Sequence, residues 1–191
     1  MNELRVPSPE QCELLLRSFT KAPTSIRNRA LVAVLWRCGL RVSEALALRH
    51  GDIDAARGRL TVRRGKGSKA RTVGLDSGTA ALLGAWTELA DNPARSALIF
   101  QTLDGSPVSA SYVRSMLIRK SRKLGLPQLH PHALRHAFAA GLVRDGHSIR
   151  TVQSQLGHSS LQTTAVYLAS IGEDEAAEAV SARDWSLDAA S

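Results

Sequence analysis

The chain has 191 residues, 43% of them hydrophobic, so it can bury a core and is too apolar to be wholly disordered. Residues 1–172 carry 24 basic and 11 acidic side chains, whereas residues 173–191 carry one basic and six acidic ones. The basic body predicts a polyanionic partner, with nucleic acid as the first candidate. The absence of an apolar run of about 18 residues argues against a transmembrane helix.

The cysteine content and the N-terminus favour the cytoplasm. Cys12 and Cys38 are too few for a disulfide scaffold, and neither has the spacing of a zinc site. Both lie in apolar helical patterns, which predicts buried thiols. The first residues, MNELRVPSPEQ, lack an apolar signal core.

The first 50 residues have helical patterns. Ser8, Pro9 and Gln11 form a capping-box signature that predicts a helix to about Phe19. An apolar pattern over residues 26–38 predicts a second helix that stops at Gly39. A short helix over residues 42–48 follows.

The pattern then changes from the helical period to a period of two. Residues 59–63 and 71–75 alternate around a basic, glycine-flanked tip, which predicts a β-hairpin. Residues 98–101 are predicted as a third short strand. Further helices are predicted over residues 77–90, 109–124, 131–144, 148–156, 160–168 and, weakly, 173–183. These elements predict an α+β fold, mainly α-helical with a small three-stranded antiparallel sheet.

The helix that begins at Pro131 carries the most suggestive polar pair. His132 and Arg135 are three residues apart, so they share a helix face at the positive end of the helix dipole, which suits a phosphate. The alternative is an ordinary surface histidine and arginine. His132 and His136 also have the i, i+4 spacing of metal ligands, but a cation-rich surrounding and the lack of a neighbouring glutamate disfavour zinc.

Three other positions have both a functional and an ordinary interpretation. Arg41 precedes a helix and Glu44 lies three residues on, so Glu44 either orients Arg41 or merely caps the helix. Lys66, between Gly65 and Gly67, is either a mobile lysine delivered into a groove or a solvated turn residue. Tyr167, one of two tyrosines, lies in a helix capped by Ser159, where a core or interface tyrosine is the alternative.

The order of these segments resembles the catalytic domain of tyrosine site-specific recombinases, the phage-integrase family. The matching segments are GLRVSEALAL, GKGSKAR, HPHALRHAFA and LGHSSLQTTAVY, and the resemblance extends over roughly residues 8–168. It implies a catalytic domain over residues 1–172, an acidic C-terminal helix or tail over residues 173–191, and no N-terminal core-binding domain in this chain. The tail is expected either to dock on a neighbouring protomer or to be a solvated end.

The resemblance also implies a site. Its catalytic residues would be Arg41 and Arg135 as an arginine clamp, Lys66 on the hairpin, His132, His158 and the nucleophile Tyr167. Glu44 and His136 match supporting positions. The implied activity is DNA cleavage and rejoining through a 3′-phosphotyrosyl intermediate, without metal or cofactor. The implied partners are double-stranded DNA and further copies of the chain, as a monomer in solution and a tetramer on paired sites.

Two other functions remain compatible with this sequence. A type IB topoisomerase-like enzyme would use the same chemistry to relax DNA with one protomer. A non-catalytic DNA-binding regulator could use the same fold, although the complete set of implied catalytic residues argues against it.

Overall fold

The computed structural model describes residues 6–63, 70–89 and 94–157. The part described contains seven α-helices, a short 3-10 turn at His50–Asp52 and three strands. The helices are α1 (Pro9–Arg17), α2 (Pro23–Arg37), α3 (Val42–Leu46), α4 (Ser77–Leu89), α5 (Ala110–Lys123), α6 (Pro131–Arg144) and α7 (Ile149–Leu156). The strands are β1 (Ile53–Asp54), β2 (Arg59–Val62) and β3 (Arg71–Gly74). None of these helices is long and apolar enough to cross a membrane.

Helix α2 lies at the centre of the fold. Every side chain from Ala30 to Trp36 is buried, so this stretch of the helix is enclosed on all sides rather than along one stripe. It packs against α4 and α6, and more weakly against α1 and α3. Pro23 occupies its first turn, where a missing N–H costs nothing, so the helix begins three residues before the position predicted from Ile26.

The turn after α2 requires a glycine. Gly39 has a φ of +62°, and a Cβ there would lie 2.2 Å from Cδ1 of Phe138 on α6. The chain therefore turns sharply against α6 and enters α3 directly.

The predicted three-stranded antiparallel sheet is confirmed, but its third strand was placed wrongly. The strand order is β1-β2-β3, with Leu60 of β2 opposite both Ile53 of β1 and Val73 of β3. Residues 98–101, predicted as a strand, form only isolated bridges among the described residues.

Burial explains this difference. Ile99 and Phe100 are almost completely buried, and the Ile99 carbonyl accepts a hydrogen bond from Nε1 of Trp86 on α4. The segment therefore packs under α4 instead of beside β3. Strand β1 has two residues, too short for an alternating pattern to be visible in the sequence.

Other local predictions are confirmed. Ser8 and Gln11 form the capping box of α1, and Pro131 opens α6. Cys12 and Cys38 are fully buried, and burial raises the pKa of both thiols to about 12, so both are protonated at neutral pH. The predicted helices over residues 160–168 and 173–183 lie outside the described residues.

A buried serine fixes the approach to α6. The Ser121 hydroxyl donates a hydrogen bond to the Leu117 carbonyl at 2.8 Å and accepts one from the Leu129 N–H at 3.0 Å. Leu129 is followed by His130, whose Nδ1 accepts a hydrogen bond from the Ala133 N–H and caps α6. The start of α6 is thus tied to α5.

We expect Ser121→Ala to lower the free energy of unfolding by about 1–3 kcal/mol, because it leaves the buried Leu129 N–H without its partner. Ser115→Ala, an exposed position on the same helix, is the control and should change stability by less than about 0.5 kcal/mol. Urea unfolding of both variants measures the difference. Equal effects would show that the Ser121–Leu129 hydrogen bond does not contribute to stability.

Candidate active site

The starts of two helices form a small recess. Arg41, Val42 and Ser43 approach it from the beginning of α3, and Pro131, His132 and Arg135 from the beginning of α6. Its volume is about 130 Å³. Three of the residues predicted from the sequence to act on a phosphate, Arg41, His132 and Arg135, therefore line one recess although about 90 residues separate the two helices along the chain.

Glu44 both caps α3 and orients the Arg41 side chain, so the two interpretations left open by the sequence hold together. The Arg41 N–H donates to Oε2 of Glu44 at 2.9 Å, and Nη1 of Arg41 donates to Oε1 at 2.9 Å. The side chain of Arg41 remains 35% exposed, whereas that of Glu44 is buried. Glu44 thus fixes the Arg41 guanidinium at Nη1, while the exposed part of the guanidinium can contact a ligand.

Arg135 is a buried residue, which excludes the ordinary surface interpretation of the sequence. Its exposure is 2%. Nη1 donates to the Gly39 carbonyl at 2.5 Å, and Nη2 donates to the Leu156 carbonyl at 2.7 Å. Nη1 also lies 3.8 Å from Oε2 of Glu44. Arg135 therefore connects the turn after α2 with the end of α7.

A third arginine, missed in the sequence, completes this cluster. Nη1 and Nη2 of Arg71 on β3 donate to Oε1 and Oε2 of Glu44, both at 2.9 Å. The signal that could have revealed it is the alternation of β3, which places Arg71 on the same face as the buried Val73. An arginine on a buried sheet face needs an acidic partner.

Arg71 and Arg41 set the protonation state of Glu44. Burial alone would raise its pKa, but the hydrogen bonds from Arg71 and Arg41, together with the Arg71 charge, outweigh burial and lower the pKa to about 2. Glu44 is therefore ionised at every pH at which the protein is expected to work.

Both histidines of α6 are neutral at pH 7. Burial, followed by the positive charge of Arg135, lowers the pKa of His132. Burial, followed by His132, lowers the pKa of His136 to about 4. The ring centroids of the two are 6.2 Å apart. A neutral imidazole beside the recess can accept a proton.

No group of three or more potential metal ligands occurs within residues 6–63, 70–89 and 94–157.

The predicted hairpin is present up to its tip, because the register pairs Val62 with Arg71. Lys66 at the tip lies outside the described residues, and so do His158 and Tyr167. The described chain reaches Gly157, directly before His158.

The second tyrosine, Tyr112, has a structural environment. Its hydroxyl accepts hydrogen bonds from Nη2 of Arg27 at 3.1 Å and from Nδ2 of Asn28 at 2.9 Å. Arg27 also stacks on the ring, with Cζ 5.2 Å from its centroid. Tyr112 thus joins α5 to α2 and does not line the recess.

We expect Glu44→Gln to lower the free energy of unfolding at pH 7 by about 3–5 kcal/mol, because Arg71 and Arg135 lose the charge that compensates them. The native pKa of Glu44 lies below its ordinary value of 4.5. Its contribution is therefore complete above pH 4.5 and is lost as the pH falls towards 2. The difference between wild type and variant should shrink over that interval.

Urea unfolding at pH 7, 4 and 2.5 measures this difference. Glu13→Gln, which removes an exposed pair with Arg17, is the control and should change stability by less than about 1 kcal/mol at each pH. A difference for Glu44→Gln that stays constant down to pH 2.5 would contradict the low pKa of Glu44.

Known proteins resemble this chain in sequence and in fold. Residues 6–173 match the model of the phage integrase family. Tyrosine recombinase XerD of Neisseria meningitidis serogroup B is 37% identical over 166 residues, which covers 81% of this chain and 54% of XerD. Tyrosine recombinase XerC of Xanthomonas campestris pv. campestris strain B100 is 37% identical over 164 residues, which covers 85% of this chain and 50% of XerC.

Solved structures agree. The crystal structure of XerA recombinase superposes with a TM-score of 0.82 at 28% identity, over 95% of this chain and 66% of XerA. XerH site-specific recombinase, bound to palindromic difH substrate in a post-cleavage complex, superposes with a TM-score of 0.76 at 30% identity, over 93% of this chain and 54% of XerH. The chain spans about half the length of the curated relatives it matches. Since the family match runs through most of the chain and takes in both helix starts of the recess, the chain belongs to the phage integrase family.

Proposed function

We propose that this chain cuts and rejoins DNA strands through a 3′-phosphotyrosyl intermediate, as a tyrosine recombinase acting in site-specific recombination. The observation that carries the proposal is the pair Arg41 and Arg135 at one recess, both tied to the ionised Glu44. The XerH complexes with difH support DNA as the substrate class, since that protein shares the fold at 30% identity.

The arginine pair suits the reacting phosphate. Attack on a phosphodiester produces a transition state with extra negative charge on the non-bridging oxygens. Guanidiniums stay charged near neutral pH and donate in a fixed fork, and charge placed before the reaction is usually the largest catalytic contribution. Arg41, which is partly exposed, would contact the phosphate directly, and Arg135 would line the floor of the recess.

The remaining roles follow from the chemistry of each group. Tyr167 would attack the phosphorus and form the covalent link, releasing a free 5′-hydroxyl. His132, neutral because burial lowers its pKa, would accept the tyrosine proton. Lys66 would protonate the leaving 5′-oxygen, and His158 would donate a hydrogen bond to a phosphate oxygen. His136, one turn from His132, would support that ring.

This reaction needs no nucleotide cofactor and no metal ion. The phosphotyrosyl link keeps the energy of the broken phosphodiester bond, so a 5′-hydroxyl can reverse the attack without ATP. The guanidiniums supply the positive charge that metal ions supply in other phosphoryl-transfer sites.

The proposed partners are double-stranded DNA and other copies of the chain. Strand exchange joins two duplexes and cuts four strands in all, so four protomers would act on one pair of sites. The catalytic domain would span residues 1–172. The acidic residues 173–191 would dock on a neighbouring protomer, because their charge disfavours the DNA surface.

We expect Tyr167→Phe to abolish covalent attachment to DNA and to leave DNA affinity within a few-fold of wild type, since only the nucleophilic oxygen is lost. A suicide substrate, nicked near the cleavage site so that the cut strand diffuses away, traps the adduct for gel analysis. Tyr112→Phe is the matched control and should still form the adduct. A persistent adduct with Tyr167→Phe would exclude this residue as the nucleophile.

We expect Lys66→Ala to slow cleavage of ordinary DNA by about 10²–10⁴-fold, the usual effect of removing a positioned proton donor. With sulfur in place of the bridging 5′-oxygen, the same variant should cleave almost as fast as wild type, because a thiolate leaves without a proton. Arg41→Ala and Arg135→Ala should stay slow on both substrates. If sulfur fails to rescue Lys66→Ala, the proton comes from another group.

A further inference from the structure

Strand β3 is joined to the end of α7 at two points. Nε of Arg71 donates to the Gln155 carbonyl at 3.1 Å. The Gly74 N–H donates to Oε1 of the same glutamine at 3.0 Å. These two hydrogen bonds hold the last turn of α7 against the strand that leads back to the hairpin tip.

Arg71 is also linked to the arginine pair, through Glu44. While Nε binds the end of α7, Nη1 and Nη2 bind both oxygens of Glu44, which also binds Arg41 and lies 3.8 Å from Arg135. The side chain of Arg71 is 14% exposed. One planar guanidinium thus spans α7 and Glu44, a geometry that the single ammonium of a lysine cannot reproduce.

The chain leaves α7 directly over this guanidinium. Gly157 ends the helix with a φ of +64°, and a Cβ at this position would lie 2.9 Å from Nε and Cζ of Arg71. His158 is the next residue and Tyr167 follows ten residues after Gly157. In the other direction, Lys66 lies five residues before Arg71.

We propose that Arg71 is a positioning residue that holds the end of α7, after which the chain continues to His158 and Tyr167, against Glu44 and thereby aligns it with the arginine pair. The inference rests on the proposed function, because it assigns a purpose to that alignment. Arg71 acts through Glu44 and the Gln155 carbonyl, with three of its five N–H donors already engaged, and it does not line the recess.

Loss of this alignment slows the chemical step more than it weakens DNA binding. A misplacement of about 1 Å between reacting groups can cost about 100-fold in rate. We therefore expect Arg71→Lys and Arg71→Gln to slow single-turnover cleavage by about 10–100-fold at saturating protein, with DNA affinity within a few-fold of wild type. The final amplitude of cleavage should stay near that of wild type, whereas a folding defect would lower the amplitude.

The substrate with a bridging 5′-sulfur shows whether Arg71 positions the nucleophile or the proton donor. If Arg71 aligns the nucleophile, its variants stay slow on both the oxygen and the sulfur substrate. If sulfur restores their rate, Arg71 serves the delivery of the Lys66 proton instead, and the proposal is wrong.

Arg17→Gln is the control for the Arg71 variants: it removes one positive charge from an exposed pair with Glu13 and should cleave at the wild-type rate.

A second variant tests the same contact from α7. Gly157→Ala should slow cleavage because its methyl group displaces the Arg71 guanidinium. Gly146→Ala, at a helix end with a similar positive φ but open space around it, should not.

A measurement without DNA tests the same contact. Amide hydrogen exchange of residues 149–157 and of Gly74 should become about tenfold faster in Arg71→Gln, because α7 loses its tie to Glu44. Unchanged exchange, or wild-type cleavage by Arg71→Lys, overturns the inference. Failure of the wild type itself to form a Tyr167 adduct would refute the proposed function, whereas the exchange measurement would still decide whether Arg71 holds α7.

Discussion

The buried carboxylate of Glu44 is the group that three arginines from different elements of the site approach. It accepts hydrogen bonds from Arg41 at the start of α3 and from Arg71 on β3, and Arg135 of α6 lies 3.8 Å away. Removing charges from water costs several kcal/mol per ion, so such a cluster adds little net stability compared with apolar packing. Its effect is geometric: Arg41 and Arg71 are oriented by hydrogen bonds to the same carboxylate, and Arg135, hydrogen-bonded to the Gly39 and Leu156 carbonyls, lies 3.8 Å from it.

Helix α2 fixes the position of Glu44 and of two of the arginines around it. Because residues 30–36 of α2 are buried on all sides, the helix is fixed relative to α4 and α6, and the Gly39 turn carries that fixed position into α3. The Gly39 carbonyl then accepts a hydrogen bond from Arg135, so the turn orients one arginine and directs the chain to the other. The close approach of Phe138 to Gly39 locks α6 into the same arrangement.

Local sequence patterns predicted much of this arrangement, because many of its contacts are local. The Arg41–Glu44 pair, the α6 start with His132 and Arg135, and the alternating hairpin all follow from spacings of two to four residues.

Long-range contacts explain what the sequence did not predict. Arg71 binds Glu44 across 27 residues and Gln155 across 84, and no periodicity reports such a pairing. The burial of Ile99 and Phe100, with the hydrogen bond from Trp86 to the Ile99 carbonyl, is also a long-range contact, and it keeps this segment out of the sheet. The roles of Lys66, His158 and Tyr167 rest on the family resemblance and stay predictions.

Exposure divides the three arginines into two kinds. Arg41 is 35% exposed, whereas the side chains of Arg71 and Arg135 are 14% and 2% exposed. Dissolved ions screen exposed charges over about 8–10 Å at physiological ionic strength and reach buried pairs far less. Rising ionic strength will therefore weaken the attraction of the basic surface for a polyanion well before it loosens the buried pairs. Ionic conditions would in this way control how often the chain meets the proposed DNA partner while the recess keeps its shape.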